Sequence, residues 1–204
     1  MSLIKICGLT RGQDIEAVNE ALPDYIGFVF AKSHREVTPR RAAELKGLLN
    51  PNIRAVGVFV NEMPNNIAEL CRAGTIDLVQ LHGDESLDYV DELRSLVANP
   101  IIRAVRVRGR EDVEDMDNMP FEYLLFDAWD REMYGGSGRA FDWSLIGSIE
   151  KPFFLAGGLT PENLVRAASE VKPYCLDISS GVESDGYKDR EKILKAVNAV
   201  RSVK

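Results

Sequence analysis

The sequence predicts an α/β fold: a (β/α)8 (TIM) barrel of eight parallel strands, in a single domain spanning residues 1–204. Three observations lead there. Apolar strand-like runs alternate with helical stretches at roughly 25-residue spacing, which requires a parallel sheet. Eight near-equal units of this kind favour a closed barrel over an open sheet. The first strand-to-helix turn, Gly8-Leu-Thr-Arg-Gly12, also lacks the Gly-x-Gly-x-x-Gly of a doubly wound dinucleotide fold.

In the first strand, from Leu3, Ile4 and Ile6 alternate with Lys5 and Cys7, so one face is aliphatic and the other carries an ammonium and a thiol. A barrel strand has helices on one face and the barrel interior on the other. This places Lys5 inside and Cys7 at the carboxyl-end mouth. A helix over Asp14 to Leu22 follows, stopped by Pro23, then a nearly continuous apolar strand over Tyr25 to Phe30. Thr38-Pro39 caps a helix to Leu49, and Ile53 to Val60 is a Val-rich strand. Pro64 to Arg72 is helical, with Gly74 just beyond it. Asp77 to His82 is the fourth strand. The helix from Ser86 to Val97 turns Leu87, Val90, Leu93, Leu96 and Val97 inward. Ile101 to Val107 is the fifth strand, Glu111 to Met116 a weak acidic helix, and Glu122 to Asp127 the sixth strand. Ala128 to Asp142 has no apolar period and reads as the longest loop, with a short helix at Trp143 to Ile146 after it. Phe153 to Ala156 is the seventh strand. Thr160 is the expected N-cap, and Pro161 the first residue, of a helix running to Glu170. Cys175 to Ser179 is the eighth strand and Asp189 to Val203 the closing helix, which makes about eight helices in all.

A chain of 204 residues with 45% hydrophobic content buries a full core, and its net charge of -7 argues against a nucleic-acid or anionic-membrane partner. No long apolar run or leader is expected, so the cytoplasm is the default location. The three cysteines are far apart, which argues against a disulfide framework or a zinc site.

Barrel enzymes build their sites at the strand carboxyl ends. This chain places Cys7, Arg35, His82, Asp127, Gly157-Gly158 and Ser179-Ser180-Gly181 there. The glycine-bearing turns after the seventh and eighth strands suit a phosphate, because small residues let backbone N–H groups approach it. Asp127 ends an apolar strand, where desolvation favours the uncharged acid and suits a general acid; a loop aspartate reads equally well from the residue alone. Cys7 fits a base in preference to a nucleophile, since no histidine is clearly set to activate it, while an isolated cysteine is also read as a small buried hydrophobe. His82 shares its strand with inward-facing Gln80, which favours a core or orienting role. Buried Lys5 needs an anion, and Asp177 on the neighbouring eighth strand is the expected partner, as structural support beneath Cys7.

The ordered set Lys5-Ile-Cys-Gly-Leu-Thr10, Gly27-Phe-Val-Phe30 with Ser33-His-Arg35, Val56-Gly-Val-Phe-Val-Asn61, Val79-Gln-Leu-His-Gly83, Phe126-Asp127, Tyr134-Gly-Gly-Ser-Gly138 with Phe141-Asp-Trp143, Leu155-Ala-Gly-Gly-Leu159 and Asp177-Ile-Ser-Ser-Gly-Val-Glu183 resembles the phosphoribosylanthranilate isomerase family along the whole chain. The resemblance implies a (β/α)8 barrel that catalyses an Amadori rearrangement of a phosphoribosyl substrate in tryptophan biosynthesis, without metal or organic cofactor, as a monomer or homodimer. It implies Asp127 as general acid, Cys7 as general base, Arg35 on the anthranilate carboxylate, and the Gly157-Gly158 and Ser180-Gly181 turns on the phosphate. The Tyr134 to Gly138 loop closes over the substrate or is a surface loop. Three rivals stand beside it: the histidine-pathway isomerase, which has an aspartate where this chain has Cys7; a non-catalytic phosphometabolite-binding barrel; and a thiol enzyme acting by covalent attack.

Overall fold

The structure is a computed structural model and describes residues 2–128 and 142–203. Eight strands, β1 (Leu3–Cys7), β2 (Tyr25–Val29), β3 (Arg54–Phe59), β4 (Leu78–Leu81), β5 (Ile101–Val107), β6 (Tyr123–Ala128), β7 (Phe153–Leu155) and β8 (Cys175–Ile178), form a closed barrel in chain order. Each adjacent pair is parallel, and β8 returns to pair with β1, bringing Lys5 opposite Asp177. The expected α/β barrel is the observed fold.

Side-chain alternation does what a closed parallel sheet demands. Ile4, Ile6, Leu124 and Phe126 pack outward against the helices. Tyr25, Val56, Ile102, Leu125 and Phe154 fill the interior. At the amino end, the rings of Tyr123, Phe154 and Tyr174 pack edge-to-face and tilted against one another, and the hydroxyls of Tyr25 and Tyr174 lie 2.9 Å apart. With that end filled, the inward-facing polar residues gather at the carboxyl end.

Six α-helices cover the barrel among the described residues: α1 (Gly12–Ala21), α2 (Pro39–Lys46), α3 (Pro64–Arg72), α4 (Leu87–Leu96), α5 (Leu164–Glu170) and α6 (Arg190–Arg201). The Asp14 carboxylate fastens the start of α1 by accepting from the Thr10 and Arg11 amides at 2.9 Å each. Thr38, Ser86 and Asp189 cap α2, α4 and α6 through side-chain oxygens.

The sequence overestimated helix in three places. The acidic stretch after β5 forms two 3-10 turns, Arg110–Asp112 and Met116–Asn118, separated by Asp115 at φ 61°. It has few apolar side chains to bury, so nothing holds a longer helix down. Trp143–Ile146 is likewise a 3-10 turn. The expected N-cap Thr160 lies a turn ahead of α5, because Asn163 closes the intervening turn by accepting from the Thr160 amide at 2.9 Å. On α4, Leu87 and Leu96 are exposed at its two ends, while Val90 and Leu93 are buried. The Tyr134 to Gly138 segment lies outside the described residues. A two-stranded antiparallel hairpin, β9 (Glu183–Ser184) and β10 (Tyr187–Lys188), follows β8 and was not foreseen. No helix among the described residues is long and apolar enough to cross a membrane.

Candidate active site

A cavity of about 530 Å³ opens at the carboxyl ends of the strands, within the range of small-molecule sites. Cys7, Arg35, His82, Asp127, Gly157, Gly158, Asp177 and Ser180 all line it. Six strand ends therefore contribute expected residues to one space. Lys5 lies beneath the floor, fully buried.

Cys7 is the last residue of β1 and is 9% exposed. Its partner across the sheet is Gly27, and the fit is close: a Cβ on Gly27 would sit 2.6 Å from Cys7 Sγ. The Ser179 hydroxyl donates to the Cys7 carbonyl at 3.0 Å, tying the end of β1 to the end of β8. Burial pushes the Cys7 thiol above its ordinary value; Lys5 and Lys188 pull it back in part, and Asp177 adds to the rise.

Below the thiol, the Lys5 ammonium donates to Asp177 Oδ2 at 2.8 Å and to Gln80 Oε1 at 2.7 Å. The expected support pair is present. Burial alone would lower the Lys5 ammonium, but the charges of Asp177 and Cys7 and the hydrogen bond to Asp177 together raise it above the ordinary lysine value. The other oxygen, Asp177 Oδ1, is buried without a hydrogen-bond partner. Asp177 itself borders the cavity.

Asp127, at the end of β6, is 3.5 Å from His82 Nε2 through its Oδ2. His82 follows β4, and its Nδ1 is 2.9 Å from the Gln80 amide nitrogen. His82 thus lies between Gln80 and Asp127. On β5, Arg106 faces Asp127 in register and donates to the His82 carbonyl at 3.0 Å.

Arg35 reaches the cavity from the loop after β2, but a resident carboxylate already holds it: Nε and Nη2 both donate to Glu183 at 2.8 Å. A guanidinium has further N–H groups, so a second anion can still be bound. The Glu183 carboxylate also accepts from Lys188, whose buried ammonium donates to the Ser179 carbonyl at 2.9 Å. Burial alone would raise the Glu183 carboxyl, but Arg35 and Lys188 outweigh it and hold the group below the usual carboxylate range. With two cations on one carboxylate, the Arg35–Glu183–Lys188 cluster is net positive beside the cavity. Sequence reasoning assigned no role to Glu183 or Lys188; the signal available was a charge at the end of the strand-eight motif and another five residues past it, which no apolar period explains.

Gly157 and Gly158 take φ values of 84° and 65°, a backbone that side chains disfavour, and both border the cavity. The Asn163 side chain braces this turn by donating to the Gly158 carbonyl at 2.9 Å. A Cβ on Gly181 would run into the Leu159 carbonyl oxygen, so its lack of a side chain lets the turn after β8 lie against the turn after β7. Ser180 lines the cavity directly. Among the described residues, no group of three or more His, Cys, Asp or Glu is arranged to hold a metal ion.

Known proteins share this architecture and this sequence. The family described as N-(5'phosphoribosyl)anthranilate (PRA) isomerase matches residues 4–199. The N-(5'-phosphoribosyl)anthranilate isomerase of Endomicrobium trichonymphae is 45% identical over 203 residues, covering 100% of both chains. That of Thermoanaerobacter pseudethanolicus is 40% identical over 206 residues, again covering 100% of both. The crystal structure of phosphoribosyl anthranilate isomerase from Thermotoga maritima superposes with a TM-score of 0.88 at 35% identity, over 98% of this chain and 99% of that one. A structure of phosphoribosyl anthranilate isomerase in complex with reduced 1-(o-carboxyphenylamino)-1-deoxyribulose 5-phosphate gives 0.84 at 34% identity, with the same coverage. With a full-length match in sequence and in fold, the chain belongs to the N-(5'-phosphoribosyl)anthranilate isomerase family.

Proposed function

We propose that this chain converts N-(5'-phosphoribosyl)anthranilate to 1-(2-carboxyphenylamino)-1-deoxyribulose 5-phosphate in tryptophan biosynthesis, with Asp127 as general acid and Cys7 as general base. The observation that carries the assignment is the placement of these two groups, from β6 and β1, on one cavity of a barrel that belongs to this family. Asp127 gives its proton to the furanose ring oxygen as the C1–O bond breaks, and the anilino nitrogen lone pair closes the Schiff base. The Cys7 thiolate then takes the C2 proton, and the electron pair moves through C1 to nitrogen to give an enolamine. The enolamine tautomerises to the 2-ketone. One proton is given and one taken, so proton exchange between the site and water restores both groups.

The Arg35 cluster binds the anthranilate carboxylate through the guanidinium N–H groups that Glu183 does not use. The turns at Gly157-Gly158 and Ser180-Gly181 hold the phosphate, with Gly181 bringing the two turns together. The described lining of the cavity comes from one chain, which suits a monomer or a homodimer in the cytoplasm; a Thermotoga maritima relative is described as dimeric.

The test is turnover of the substrate, generated in place from anthranilate and phosphoribosyl pyrophosphate and followed by anthranilate fluorescence. Cys7→Ala and Asp127→Asn should each lose about 10²- to 10⁴-fold in kcat while still binding a reduced product analogue. A wild type that binds the analogue and turns nothing over is a binding barrel. A covalent adduct on Cys7 would make the thiol a nucleophile in place of a base.

A further inference from the structure

A chain of polar contacts crosses the barrel floor from β8 to β6 and fixes the position of one proton. The Lys5 ammonium has donors and no acceptor, so the Gln80 atom 2.7 Å from it must be the amide oxygen. The amide nitrogen is then the atom 2.9 Å from His82 Nδ1. An amide NH2 only donates, so Nδ1 must present a lone pair. The single ring proton is left on Nε2, the atom 3.5 Å from Asp127 Oδ2.

We propose that Gln80, anchored by Lys5, is a positioning residue that holds His82 as the neutral Nε2–H tautomer and so keeps Asp127 able to carry and deliver its proton. This rests on the reading of Asp127 as the acid. In the other tautomer, Nε2 would face Asp127 with a lone pair. An imidazole, at about 6.5, is a stronger base than a carboxylate, at about 3.9, and would take the acid's proton. With Nε2 protonated and Nδ1 occupied, the ring has no lone pair toward Asp127. Nε2 lies 3.5 Å from Oδ2, so the acid's proton has no basic nitrogen beside it to move to. Around the ring, Lys5 on β1 acts through Gln80, Arg106 on β5 through the His82 carbonyl, and Asp127 on β6 directly. The groove on the far side of His82 adds Asp84, Arg103, Arg108 and Asp112.

The experiment is two-bond 15N–1H correlation of the full chain labelled with 15N-histidine, at about pH 7.5. There are two histidines, and the exposed His34 is assigned with His34→Gln. The His82 ring should be a single tautomer, protonated on Nε2 and bare on Nδ1. Gln80→Glu presents only acceptors, so it should protonate Nδ1 and lower kcat by about 10²-fold with KM changed less than about threefold. A wild-type ring protonated on Nδ1 overturns the proposal, as does a Gln80→Glu enzyme with Nδ1 protonated and kcat unchanged. If Gln80→Glu does not fold, the wild-type spectrum decides alone. A wild type that lacks turnover would overturn the assigned reaction, whereas the ring spectrum reads the tautomer whatever the activity.

Discussion

Cys7 acts as a base only when ionised, yet the barrel that positions it favours the thiol, because burial outweighs the pull of Lys5 and Lys188. A free thiol titrates near 8.5, and here the value is higher. The active fraction at neutral pH is therefore small and grows with pH, so kcat/KM should still be rising as the pH passes about 8.5. Stability has the opposite sign. Above about pH 8.5 the unfolded chain releases this proton while the folded chain keeps it, so the unfolded state binds fewer protons and the folding free energy declines as pH rises. Cys175, buried in the interior and raised still further, acts in the same direction. A pH–rate profile of the wild type checks the first sign: a kcat/KM that is level from about pH 7 to pH 9 removes Cys7 as the base. Urea melts across the same range check the second, with Cys7→Ala expected to weaken the alkaline decline.

The register between β1 and β2 sets where that thiol lies. Gly27 is opposite Cys7, and a methyl group on it would be 2.6 Å from Sγ, with both backbones fixed by the parallel ladder. The thiol has to yield. Gly27→Ala should therefore cost about 10²-fold in kcat by misplacing the base, and about 1–3 kcal/mol through overpacking. Activity together with a urea melt separates the two, and a Gly27→Ala enzyme with wild-type kcat would show that the thiol has room to spare. Elements of this kind were legible in the sequence because each one repeats a period. The Ile4/Ile6 alternation put Lys5 and Cys7 inside, and the adjacency of the eighth strand to the first made Asp177 the expected partner of Lys5. The parts that were misread or missed have no period. The acidic turns after β5 offered charges without an apolar stripe, and the β9–β10 hairpin has two residues per strand. Glu183 and Lys188 therefore looked like loop charges, although their partner Arg35 comes from the other side of the chain's first third. Gln80 was visible as an inward polar residue, but its effect depends on which ring atom of His82 it meets.

At the scale of the whole barrel, β1 and β8 form the seam where the last strand closes on the first, and the Lys5–Asp177 pair lies across it. The pair's contribution is asymmetric. Two buried charges that satisfy each other add little net stability, but one left alone is expensive, about 3–5 kcal/mol. Lys5→Met should lower unfolding stability toward the lower end of that range, since the Asp177 side chain keeps 7% of its surface at the cavity and retains some hydration. Against a typical total of about 5–15 kcal/mol this is a large loss, visible as a reduced urea midpoint at unchanged slope. The double variant Lys5→Met/Asp177→Leu removes both charges and should recover most of the loss, because an apolar replacement of a buried pair is often neutral or better. It should nevertheless remain inactive. Without the ammonium, the Gln80 amide oxygen loses its donor. A single Lys5→Met variant within about 1 kcal/mol of wild type would mean that water reaches Asp177 well enough to replace its partner. The pair would then be holding the proton chain in place without holding the barrel closed.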